Sequence, residues 1–153
     1  MKNETPMNEN KLKHLEFIQN IITRMNANSF VIKGLSVTLV SALFALAADK
    51  ANLFFVLIAY LPTLVFWGLD GFFLSTEKQY RELYEEVTAK SEAQIDFNLK
   101  PSQGHKDKAG GWLCNGFSKT LWPFHGTILA SVFMVMVLLA IKYLLGQMSC
   151  SED

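Results

Sequence analysis

Charge is nearly absent from long stretches of this chain, and that constrains its fold more than any other feature. Between Phe30 and Leu74 only Lys33, Asp49, Lys50 and Asp70 are charged, and from Thr127 to Leu145 only Lys142. Apart from Glu152 and Asp153, the remaining charges gather before Phe30 and between Ser75 and Lys119. A soluble globular fold spreads charge over its surface. This segregation points to an all-α integral membrane protein with three transmembrane helices. The predicted spans are 30–48, 53–74 and 127–145; nineteen to twenty-two residues at about 1.5 Å each cover a hydrocarbon core about 30 Å thick.

The first apolar run ends in Ala45-Leu46-Ala47, which resembles a cleavage site. The preceding stretch carries Glu4, Glu9 and Glu16, unlike a short basic leader, so the run is read as a retained span. Lys11 to Asn26 has helical periodicity, with Leu12, Leu15, Ile18, Ile22 and Met25 on one face. That face suits either a membrane interface or a partner subunit. Asn26-Ala27-Asn28-Ser29 is expected to break this helix and cap the next one. The domains are therefore residues 1–28, a tail and amphipathic helix, and residues 29–153, the transmembrane domain.

Asp49 to Asn52 is a tight turn. Pro62 lies within the second span and removes one helical hydrogen bond. No glycine or proline separates that span from Ser75–Lys90, so one helix should run from about Leu53 to about Lys90. Its cytoplasmic part carries the Glu77–Arg81 and Arg81–Glu85 spacings for ion pairs, with Tyr80, Leu83, Tyr84 and Val87 opposite. Residues 75–124 hold this extension and then a cytoplasmic loop. Pro101 to Gly111 is expected to be irregular, and the aromatic stretch from Trp112 to Trp122 interfacial.

Lysine and arginine set the orientation. Four precede Phe30, seven lie between Ser75 and Phe124, one is in the turn and none follows Leu145. The N-terminus and long loop are thus cytoplasmic and the C-terminus is outside.

Lys33 and Asp70 form the sharpest constellation. Counted from the turn they lie at similar depth, just inside the cytoplasmic face. Opposite charges there either pair or snorkel separately. Gly34, Thr38, Ser41, Ala45 and Ala48 make a stripe of small residues, for helix packing or for lining a pore between subunits. Lys11, Lys13 and Arg24 are candidate contacts for an anionic ligand, and Lys100, His105, Lys106 and Lys108 form a second basic set. The chain lacks a phosphate-binding loop, a metal-binding helix motif and a nucleophile elbow, so it is read as a non-enzyme without cofactor or catalytic residues. Cys114 and Cys150 lie on opposite faces and should not pair, and His14, His105 and His125 stand apart with no metal-ligand spacing.

The run from His14 to Phe30 with Lys33-Gly34, and Phe66-Trp67-Gly68-Leu69-Asp70 leading to Tyr80-Arg81-Glu82-Leu83-Tyr84, resemble small bacterial membrane effectors of antiphage defence encoded beside a nucleotidyltransferase, of the Hailong type. The resemblance covers Leu12 to Val87. It implies a homo-oligomeric, tetrameric ion channel of the bacterial inner membrane that acts by abortive infection. Its N-terminal helices would gate the cytoplasmic mouth, and an oligonucleotide from the partner enzyme would control it. The alternatives are a non-conducting membrane anchor for a soluble partner and a holin-like pore former.

Overall fold

The computed structural model describes residues 9–50 and 53–149. Among these the chain is all-helical, and three of its helices are long and apolar enough to cross a membrane. The elements are α1 (Glu9–Lys50), α2 (Leu53–Ala89), a short 3-10 turn (Glu92–Gln94), α3 (Gln103–Ala109), α4 (Trp112–Gly116) and α5 (Leu121–Ser149).

The expected break at Asn26-Ala27-Asn28-Ser29 does not occur: α1 is one helix of 42 residues, about 63 Å long at 1.5 Å per residue. Asn and Ser each cost only a few tenths of a kcal/mol within a helix. With no proline or glycine between Asn26 and Ser29, packing along α2 outweighs that sum. α1 therefore runs unbroken across residues 28 and 29. α2 ends at Ala89, close to the expected limit, and stays helical through Pro62.

α1 and α2 form a long antiparallel hairpin with two buried layers. In the layer towards the connection, Val40 and Ala47 of α1 meet Val56 and Ala59 of α2 and Val132 of α5. In the other, Leu15, Ile18 and Ile22 meet Leu83 and Val87, flanked by Tyr80, Tyr84, Ile95 and Leu99. The apolar face of the N-terminal segment is thus covered by the same chain, where the sequence pointed to lipid or a partner. The hairpin explains this: both helices overrun their apolar runs on the same side, so their amphipathic faces are already neighbours. Leu12 falls outside this core and is exposed, while Met25 is half-buried.

The stretch from Pro101 to Gly111 is not wholly irregular. Ser102 caps α3: its hydroxyl accepts from the His105 amide at 3.4 Å, and its own amide donates to His105 Nδ1 at 3.0 Å. This is a capping box with histidine in the usual place of glutamate. α3 ends at Gly110, whose φ of 75° lies in the left-handed region that glycine enters without steric cost. Asn115 then binds the carbonyls of Ala109, Gly110 and Gly111 through its amide nitrogen, and accepts from Lys78 at 2.5 Å. Ser75 donates to the Gly110 carbonyl at 3.0 Å. Together these bonds fasten α3 and α4 to α2.

Gly71 marks the closest approach. A Cβ there would stand 3.0 Å from the Trp112 carbonyl oxygen and 3.1 Å from the Gly116 Cα. Both obstacles are backbone and cannot rotate away. Gly71→Ala should therefore cost about 1–3 kcal/mol by overpacking, read as a lowered denaturation midpoint of the purified protein.

Candidate functional site

Three helices meet at Asp70, whose side chain is fully buried. Its Oδ2 lies 2.6 Å from Lys33 Nζ of α1 and 2.9 Å from His125 Nε2 of α5. Its Oδ1 accepts from the Ser29 hydroxyl. Ser29 in turn accepts from Lys33 Nζ at 2.6 Å, one helical turn away on α1. Both carboxylate oxygens are therefore satisfied by donors from two other helices. A buried charge needs such partners, since desolvation costs several kcal/mol when it is unpaired.

Lys33 and Asp70 are thus brought together within one chain. Ser29 and His125 complete the cluster and were not read from the sequence. Faint signals existed: Ser29 precedes Lys33 by four residues, so both share a helix face, and His125 opens the third apolar run at the depth of Asp70. The carboxylate only accepts hydrogen bonds, so the facing His125 Nε2 carries the proton. His125 Nδ1 is buried without a partner among the described residues.

Aromatic rings close the cluster off. Trp67 stacks on His125 with centroids 6.0 Å apart and planes at 9°, and Phe124 meets the same ring edge-on at 5.0 Å. Trp67 also contacts Phe117 and Trp122 and donates to the Gly116 carbonyl at 2.8 Å. α4 and the start of α5 therefore cap the site at the end of the apolar runs.

The small-residue stripe faces elsewhere. Gly34, Thr38, Ser41, Ala45 and Ala48 are all exposed, and nothing stands within 4 Å of a Cβ placed on Gly34. The buried positions of this part of α1 are Ile32, Ser36, Val40 and Ala47, which lie on the opposite side at 100° per residue.

The basic candidates divide. Lys11 Nζ donates to the carbonyls of Thr88 and Lys90 at 2.9 and 2.8 Å, where it satisfies acceptors at the C-terminal end of α2. It is thus a capping residue of the hairpin, while Lys13 and Arg24 remain exposed. In the second set, Lys108 lies 3.3 Å from Glu82 and the buried His105 is 2.7 Å from Glu86, which leaves Lys100 and Lys106 exposed. The Lys90 ammonium bonded to Glu86 holds that carboxyl below the ordinary carboxylate range, and Lys90 is raised in return. Arg81 turns to Glu77 at 2.6 Å.

Among the described residues there is no group of metal-ligating side chains. Cys114 is free and exposed; Cys150 lies outside the described residues. Comparison with protein-family models, with curated proteins and with solved structures finds no match for this chain.

Proposed function

We propose that this chain is an integral protein of the bacterial cytoplasmic membrane that assembles into a homo-oligomeric channel, a tetramer, and acts as a membrane effector of antiphage defence. An oligonucleotide made by a partner nucleotidyltransferase controls it. The spans are 30–48, 53–74 and 127–145, with the N-terminus cytoplasmic and the C-terminus outside. The observation that carries the channel reading is the division of polar groups on α1. Charge is paired within the protomer at Lys33 and the buried Asp70, while Thr38 and Ser41 stand exposed between Gly34 and Ala45. Small residues let helices approach closely, and hydroxyls facing a central axis are available to a hydrated ion. Exposed Lys13 and Arg24 supply cytoplasmic charge for phosphates.

Thiol chemistry tests both topology and assembly. Cys114 should react with a membrane-impermeant maleimide only after the cytoplasmic membrane is opened. A single cysteine at Thr38, in a chain otherwise cysteine-free, should crosslink between copies in membranes, whereas one at Val132, buried in the protomer, should not. Labelling of Cys114 in intact cells overturns the orientation. Equal crosslinking at both positions overturns the stripe as the meeting line of subunits.

A further inference from the structure

Residues 72–79 of α2, α3 and the start of α4 line an open cleft of about 510 Å³. Its two ends differ chemically. At one end stand Phe72 and Trp112, each about half exposed; the Trp112 ring reaches back along α2 to within 3.7 Å of a Cβ placed on Gly68. At the other end, beside Gln79, stand Gln103, Lys106 and Asp107. Asp107 Oδ1 accepts from Gln103 Nε2 at 2.9 Å. Lys106 Nζ has no partner among the described residues, whereas Lys108, Lys90 and Lys78 are each engaged. The cleft thus presents one free ammonium and one carboxylate with an unused oxygen next to an aromatic grip.

We propose that this cleft binds a zwitterionic phospholipid with a primary ammonium headgroup, phosphatidylethanolamine, with Lys106 on the phosphate, Asp107 on the ammonium, and Phe72 and Trp112 along the acyl chains. The inference rests on the membrane reading above, which puts Phe72 and Trp112 at the cytoplasmic boundary, where aromatic rings meet headgroups. Charge selects the occupant. An anionic lipid or a nucleic-acid phosphate satisfies Lys106 and is repelled by Asp107. A choline headgroup matches the net charge but has no N–H to give the carboxylate. An ethanolamine headgroup meets both groups and leaves neither unpaired. A lipid held there would bridge α2 and α3 and brace the cytoplasmic elements against the bilayer.

Native mass spectrometry of the full chain, extracted in detergent and supplied with equimolar phosphatidylethanolamine, phosphatidylcholine and phosphatidylglycerol, tests this. The ethanolamine lipid should be retained about fivefold over each of the others, the range of a partly exposed charge pair. The double variant Lys106→Gln, Asp107→Asn, which leaves net charge unchanged, should hold all three equally with an unaltered denaturation midpoint. Equal retention by the wild type overturns the site, and preference for phosphatidylglycerol overturns the headgroup assignment. Carbonate washing of membranes separates this from the wider reading: a chain released by the wash overturns membrane insertion itself, whereas one that stays and shows no lipid preference overturns the lipid site alone.

Discussion

Asp70→Asn should lower the stability of the purified protein by about 3 kcal/mol, the low end of the range for removing one member of a buried pair. The low end applies because the Lys33 side chain keeps 23% of its surface exposed and is not fully cut off from polar surroundings. The asparagine oxygen can still accept from Ser29, but its Nδ2 then faces Lys33 Nζ and His125 Nε2, both donors, so the ammonium is left uncompensated and the bond to His125 is lost. The loss should be concentrated in the docking of α5, which meets α1 and α2 at this point, and hydrogen exchange at residues 121–126 should rise with it. Pairing Asp70→Leu with Lys33→Met should recover much of the stability, because no buried charge is then stranded. Exchanging the charges, Lys33→Asp with Asp70→Lys, should show a coupling of about 1 kcal/mol or more. Recovery will be incomplete, since His125 then faces a lysine. A loss under about 0.5 kcal/mol for Asp70→Asn, the size of an ordinary surface change, means that water reaches the cluster and the pair is not buried.

Ile18→Ala should be nearly as costly, at about 2–4 kcal/mol. Ile18 is fully buried between the N-terminal half of α1 and the extension of α2, with Leu83 and Val87 across from it. Truncation leaves a cavity between two helix faces held on one side only. The effect should be local: amides of residues 80–89 should exchange faster and proteolysis should begin there, while the apolar spans stay protected. Deleting residues 1–26 should go further and expose Tyr80, Leu83, Tyr84 and Val87 together. A truncated protein that retains a folded extension after Ser75 contradicts this packing.

Much of the fold follows from local pattern. The apolar runs, the unbroken passage from the second span into its extension, and the antiparallel hairpin all come from charge segregation and from where glycine and proline do not occur. Two helix boundaries differ from the local pattern, each for its own reason. At Asn26–Ser29 cap-forming residues stand inside a helix because α2 supports both sides of it. At Ser102 the cap is real, but its partner is His105, which composition alone marks as a basic loop residue. The charge pair was legible because both residues interrupt apolar runs and the short turn fixes their depth. Ser29 and His125 were not, since a serine or a histidine at a run's edge has many equally good local explanations. Only the meeting of three helices, two of them far apart in sequence, brings both to Asp70. Lys11 shows the same limit: its charge suggested a ligand, and the end of α2 claims it.

The most direct test of the channel reading is ion flux through liposomes reconstituted with the full chain alone. Wild-type protein should release an encapsulated ion in proportion to protein, a bulky residue at Thr38 (Thr38→Trp) should abolish release while the protein remains in the liposomes, and an oligonucleotide supplied on the cytoplasmic side should change the rate. Liposomes that stay tight with the wild-type chain correctly inserted, with and without the oligonucleotide, would contradict the channel account and leave a membrane anchor in its place.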